Sequence, residues 1–527
     1  MIMRGRIAAA LMALLMMSCS KDDVHSGYDV DYTYGLELKH EMIVLGDRLE
    51  NPYKTENMTK ALQSLYPTKS GRVDLKSTDL YVRFLPADEE EYQMLMEMGI
   101  TLLDHPMDYD ILVEGDWYHD PEIPDGRLTW QYAVVSPDFQ FPDVKYELID
   151  ECYISEHDPA TRADGDIDWE AVERQSYRLT GNADRIAEPM VKASSKAVPS
   201  GRITIVDEHA HGGKPFGVAG VMVSCNSFVK FDECHTDRDG YYKMSKKFSS
   251  DLRYRLVFDN TKGFSIGFNL VLVPASVSTL GKSSPYGVNM TITPDSEEKL
   301  FNRCVVNNAV YDYISRCSPA DLDIASPPSD LRIWLFPNLQ ASSAVMIHHG
   351  AGISHDLIKK FLGSYSILLE VFAPDITIGL DGKDTYRDIY STTCHELAHA
   401  SHFSKVGTAY WDGYILDIIE SFIRSGGNTY GDGTTAGHGL VEVGEMWAYY
   451  LESRIFKDRY GGSFPSFGTS FWFYPQIFRS LDERGFKSSD IFDVLEPGVT
   501  SKSLLKSALI SAYPAKKSII EQVFNRY

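Results

Sequence analysis

The residues best suited to chemistry lie in TTCHELAHASH, residues 392–402. On a helix, at about 100° per residue, side chains four apart differ in direction by only about 40°, so His395 and His399 can reach one ion together. Glu396 falls on the flank of that face, where a carboxylate can hold and deprotonate a water. A catalytic zinc takes three protein ligands and keeps a fourth position open, so a third donor must come from elsewhere in the chain. Two surface histidines on an ordinary helix would give the same letters. The surrounding sequence has to decide.

A third donor is available downstream. The run HGLVEVGEMWAYYLESRIF, residues 438–456, has helical spacing and offers Glu442, Glu445 and Glu452. On a helical wheel Leu440, Val443, Trp447, Tyr450 and Leu451 form one buried stripe, and all three glutamates lie on the other side. Burial therefore does not choose among them. Glu445 shares its side with Val441 and Ala448, and the neighbouring Gly444 allows another helix to come close.

The elements that must position these residues are legible upstream. Ser296 before Glu297 and Glu298 starts a helix that runs through Tyr313. LRIWLFPN (331–338) reads as a buried strand, SAVMIHHG (343–350) as a second, DLIKKFLGSY (356–365) as a helix and DITIGL (375–380) as a short strand. The metal-binding helix then begins at Asp384, with Thr385 and Asp388 in its first turn, where caps and the helix dipole favour them. WDGYILDIIESFIR (411–424) adds a further helix before a glycine-rich stretch. Cys394 points away from the ligand face and is expected to pack, and His402 is expected beside the ligands or at the surface.

This arrangement resembles the HExxH helix of zinc peptidases, and the order of helix, strands and metal-binding helix resembles the catalytic half of a zincin. After His399 the chain continues Ala400, Ser401, His402, Phe403, without the glycine and third histidine of the metzincin extension. The gluzincins instead use a glutamate from a later helix. In their aminopeptidase branch that glutamate is followed by an aromatic residue two positions on and an alanine three on, a pattern matched by Glu445, Trp447 and Ala448. Glu442 fails it and stays open as the alternative ligand. The gap from His399 to Glu445 exceeds that of thermolysin and the aminopeptidases, so the likeness is to the superfamily. It implies Zn2+ on His395, His399 and Glu445, with Glu396 as general base in peptide-bond hydrolysis. It also implies that the strand Ile376–Ile378 lines the cleft at the sheet edge, pairing with an extended peptide. A tyrosine or histidine would stabilise the oxyanion, and Tyr414, Tyr430, His438 and Tyr449 are unranked candidates.

Residues 1–19 read as an export signal: Arg4 and Arg6, an apolar run from Ile7 to Met17, then Ser18 before Cys19. The run is too short for a permanent membrane span. Ser18–Cys19 resembles a bacterial lipobox, which implies lipid attachment at Cys19, and SKDD (20–23) resembles the export tag of Bacteroides-like surface lipoproteins. The expected location is the outer membrane and cell surface, held by lipid alone. Six further cysteines form no close pair of the zinc-ribbon type, and Cys225 with Cys234 is the expected bridge if any forms.

The expected architecture is α+β and multidomain. A tether with a short helix occupies residues 20–75, and a small α/β region spans 76–195, with a strand at LYVRFLP, a helix at ADEEEYQMLMEMG and a return strand at ITLLDHP. The acids Asp88–Glu91 read as a solvated face, and the region itself as a propeptide or inhibitory lid. A linker at 188–200 leads into short strands over 200–290 that resemble a carboxypeptidase regulatory-like β-sandwich, with Asp237 and Asp239 before Gly240 forming a turn. The zincin-like domain follows at 295–527.

With 74 acidic against 51 basic residues and a net charge of -23, a nucleic-acid partner is excluded on electrostatic grounds. The function expected is hydrolysis of extracellular polypeptides or glycopeptides. The alternative is a non-catalytic surface lipoprotein that binds host protein or glycan on a zincin scaffold.

Overall fold

A computed structural model describes residues 42–527 apart from 69–73, 125–126, 163–165, 188–196, 268–275, 338–339, 352–373, 384, 426–427, 429, 466 and 468–470. Residues 1–19 with Cys19, the tether up to 41, most of the linker, the helix expected at 356–365, and Asp384 lie outside the described residues.

The fold is mixed α+β. After a first helix α1 (Thr55–Leu65), strand β1 (Asp79–Leu85) is the centre of a small antiparallel sheet between β2 (Gln131–Val135) and β3 (Lys145–Cys152). Val82 and Phe84 of β1 are fully buried on one face and Tyr81 on the other, so the strand is covered on both sides. Helix α2 (Glu89–Glu97) is capped by Asp88, whose carboxylate accepts from the Glu91 amide at 3.1 Å, so one member of the acid cluster is a cap. ITLLDHP forms no strand. Leu103 makes a single bridge to Tyr132, and Asp104 is drawn off to the Tyr118 amide and the His105 ring. A third helix, α3 (Trp169–Leu179), completes this N-terminal module.

Strand β4 (Ser200–Ile205) organises a second small sheet with Phe216–Gly217, Tyr241–Lys243 and Met290–Ile292. The turn before Tyr241 is closed by Asp237, whose carboxylate accepts from the Asp239 and Tyr241 amides, both at 2.9 Å, with Gly240 at φ 83°. Strands β5 (Val221–Ser227), β6 (Lys230–His235) and β7 (Leu252–Asn260) pair antiparallel. Their register places Cys225 opposite Asp232 and Cys234 opposite Val223, and both thiols are free, so the expected bridge is not formed.

From β7 the same sheet continues without a break. Strand β8 (Phe264–Gly267) pairs with β7, runs parallel to β9 (Leu331–Phe336), and β9 runs parallel to β11 (Ile376–Gly379). The outermost strand is the two-residue β10 (Ser343–Ala344), antiparallel to β11. The expected edge strand Ile376–Ile378 is therefore an interior one: Ile376 and Thr377 pair with Ala344 and Ser343 on one side and with Ile333 and Trp334 on the other. The strand expected over 343–350 stops early because Met346 turns to φ 53°. One eight-stranded sheet thus spans both sides of residues 290–295.

Helix α4 (Glu298–Arg316) covers this sheet, capped by Glu297 rather than by Ser296. Three further helices, α5 (Tyr386–Val406), α6 (Thr408–Ser425) and α7 (His438–Tyr460), form the helical layer. Sheet and helices share one hydrophobic core. The N-terminal module is fastened to it by buried charge: Lys230, with no solvent exposure, bonds Glu156 at 2.8 Å and Glu173 at 3.1 Å, and Arg303 of α4 bonds Asp116 at 2.9 Å. The region expected as a propeptide or inhibitory lid is tied by these bonds to the sheet and to α4.

Candidate metal centre

Helix α5 forms where the capping residues direct it. Thr385 accepts from the Asp388 amide at 3.2 Å and donates to the Asp388 carboxylate at 2.6 Å. Gly407, at φ 77°, ends it, where a side chain would be strained. Nearly every residue from Ile389 to Phe403 is buried, so the histidines are not surface residues.

Helix α7 packs against α5, with Trp447 Nε1 donating to the Ala398 carbonyl at 3.1 Å. Helix α6 is held over both. A Cβ on Gly444 would come within 3.1 Å of the Tyr414 ring, so the glycine permits the α6–α7 approach expected of it. Trp411 Nε1 donates to Ala344 O at 2.8 Å, tying α6 to β10, and its ring lies 5.8 Å from that of His399.

These contacts bring His395, His399 and Glu445 together, with ligand atoms within 4.8 Å of one another and all three residues buried. Glu445 Oε2 lies 3.5 Å from His395 Nε2, and Oε1 lies 3.4 Å from His399 Nε2. Tetrahedral zinc with bonds near 2.0–2.1 Å separates its ligands by about 3.4 Å, so the spacing fits that ion. His395 Nε2 is buried and makes no hydrogen bond of good geometry, a cost that metal ligation would remove. Glu396 is fully buried beside the pair.

Burial and neighbouring charge shift the titration of His395, His399 and Glu445. Burial lowers the affinity of His395 for a proton, but Glu445 and Glu452 outweigh it and raise the imidazole to about 10. Burial pushes the Glu445 carboxyl up, and His399 and His395 reverse this and hold it at about 2. His399 is drawn below its usual value, chiefly by burial. Glu396, Glu445 and Glu452 are at most 5% exposed, a concentration of carboxylates that a divalent ion would offset.

The three glutamates of α7 are sorted by their partners. Glu445 faces both histidines, and its Oε1 also accepts from the Tyr414 hydroxyl. Glu452 accepts from His395 Nδ1 at 3.1 Å and from the Ser391 hydroxyl. Glu442, the alternative ligand, accepts instead from the Lys502 amide at 3.2 Å and lies outside the cluster.

His402 is neither at the surface nor in the cluster. It is fully buried, packed 5.2 Å from Tyr410 and 5.9 Å from Trp411, and among the described residues neither ring nitrogen has a hydrogen-bond partner. Burial lowers its pKa to about 3, so it is neutral. Cys394 is buried, which raises its thiol pKa and makes it packing. Among the oxyanion candidates, Tyr414 is engaged by Glu445 and His438 by the Thr435 carbonyl. The Tyr430 and Tyr449 hydroxyls meet at 3.1 Å, and the Tyr449 ring lies 4.5 Å from that of His395.

One contributor, Ser391, was missed from the sequence, and another, Tyr414, was named there only as an oxyanion candidate. Ser391 precedes His395 by four residues, so its place on the ligand face was readable. The bond of Tyr414 to Glu445 depends on how α6 crosses α7 and left no local signal. No family model matches the chain, and no curated protein or solved structure shows significant similarity to it.

Proposed function

We propose that the chain is a zinc-dependent peptidase of gluzincin type that hydrolyses peptide bonds in extracellular polypeptides or glycopeptides. The observation that carries this reading is the convergence of His395, His399 and Glu445 from two helices, at tetrahedral ligand spacing, with Glu396 buried beside them. His395, His399 and Glu445 would hold the ion. Zinc bound there would polarise the scissile carbonyl and bring a water to a pKa of about 7. Glu396 takes the proton of the attacking water and returns it to the departing amine. Tyr449, whose ring lies 4.5 Å from that of His395 and whose hydroxyl meets that of Tyr430, is the candidate to stabilise the developing oxyanion.

The finer architecture belongs to the same reading: a regulatory-like β-sandwich over 200–290 and a zincin-like catalytic part over 295–527, joined through the shared sheet. So does the location, a surface lipoprotein held by lipid on Cys19 as the pattern of residues 1–19 suggests. Among the described residues no helix is long and apolar enough to cross a membrane.

The test is Glu396→Gln. The variant is expected to bind zinc as the parent chain does and to lose about 10²–10⁴-fold in peptide hydrolysis. Cleavage at the parent rate by zinc-loaded Glu396→Gln would refute the assignment.

A further inference from the structure

Seven residues separate Glu445 from Glu452 on α7, nearly two full turns, so both carboxylates lie on one stripe of the helix. Both face α5, but they meet different atoms. Glu445 stands opposite the Nε2 atoms of the two histidines, and Glu452 reaches the far side of the His395 ring. Residues 391, 395 and 399 repeat every four positions along α5, so the Ser391 hydroxyl falls one turn before His395 on the same face. It donates to Glu452 Oε1, while His395 Nδ1 donates to Oε2 at 3.1 Å. Each oxygen of this buried carboxylate therefore has a donor from α5.

We propose that Glu452, held by Ser391, is a positioning residue for the metal: it keeps the proton of His395 on Nδ1 and aims the Nε2 lone pair at the ion. This rests on the reading of His395, His399 and Glu445 as a metal centre. An imidazole that ligates an ion is neutral, with one N–H and one lone pair, and fixing the N–H on a carboxylate leaves the other nitrogen as the only possible ligand atom. The carboxylate also makes that nitrogen a better donor, and such outer partners contribute about 10–100-fold in metal affinity. The ring cannot turn over without breaking the Glu452 bond inside the core, where an unpaired carboxylate is costly.

The experiment is a zinc titration of the full chain against a chromophoric chelator, with cobalt(II) absorption as a second readout. Glu452→Leu is expected to weaken zinc binding about 10–100-fold and to shift the cobalt(II) bands, because His395 is no longer fixed. Glu452→Gln retains an oxygen acceptor for Nδ1 and should recover most of the loss. Ser391→Ala should fall between Glu452→Gln and Glu452→Leu. Glu442→Gln, on the same helix but bonded to Lys502, should match the parent. If Glu452→Leu does not fold, Ser391→Ala and the cobalt(II) spectrum of Glu452→Gln carry the comparison. Zinc affinity and cobalt(II) bands equal to the parent's in the folded Glu452 and Ser391 variants would overturn the proposal while leaving the metal centre standing. A parent chain that binds no zinc would remove both.

Discussion

At the scale of single residues, the buried histidines of α5 divide by what their nitrogens meet. His395 has Glu452 on one nitrogen and faces Glu445 with the other, whereas His402, one turn beyond His399, is neutral with both nitrogens unsatisfied. An orphaned buried polar group costs about 1–3 kcal/mol, and an apolar residue of similar volume removes that cost. His402→Leu is accordingly expected to leave zinc affinity unchanged and to raise unfolding stability by about 1 kcal/mol. A urea denaturation curve checks this, and a destabilised variant would mean that His402 serves a polar role. His395, Glu396 and His399 were legible as neighbours on one helix because a helix converts spacing into direction. It left His402 open, since a spacing of three fits a ligand face and a packed face equally well.

At the scale of elements, α5 and α7, which carry His395, His399 and Glu445, are clamped at one end by the region preceding the sheet. Asp207, fully buried after β4, accepts from Arg459 at 2.9 and 3.2 Å and from the Tyr460 hydroxyl at 3.0 Å, both at the end of α7. The Arg459 guanidinium also lies over Tyr386 and Tyr390 of α5, at 5.0 and 4.6 Å. Removing one partner of such a buried pair costs about 3–5 kcal/mol, because the other charge is left uncompensated. Asp207→Ala is expected to lose that amount in chemical denaturation, and a loss under about 1 kcal/mol would show that the clamp is not coupled to the helices.

Helix existence and order were readable from capping residues and apolar periodicity, as at Thr385, Asp388 and 438–456, the last of which runs on to Tyr460. Strand neighbours were not. That β10 rather than β11 lies at the edge follows from a two-residue pairing far apart in sequence. The wheel of α7 left the three glutamates undivided, and in the structure all three are buried. Partner choice, and not burial, distinguishes Glu445, Glu452 and Glu442.

At the scale of the molecule, the eight-stranded sheet makes the 200–290 region and the half that carries His395, His399 and Glu445 one mechanical body, and Lys230 and Arg303 fix the N-terminal module to it. Deleting residues 20–187 would leave Lys230 without its two carboxylates, so the shortened chain is expected to aggregate or to melt earlier rather than to gain activity. Size-exclusion chromatography and thermal melting check this, and a folded, more active truncation would instead support the inhibitory role.

The measurement that bears most directly on the central claim is anomalous scattering at the zinc edge from crystals of the full chain grown with zinc and no chelator. We expect one peak per chain, about 2 Å from His395 Nε2, His399 Nε2 and a Glu445 oxygen. A zinc-loaded crystal with no peak between these atoms, or with the peak elsewhere, would contradict the account.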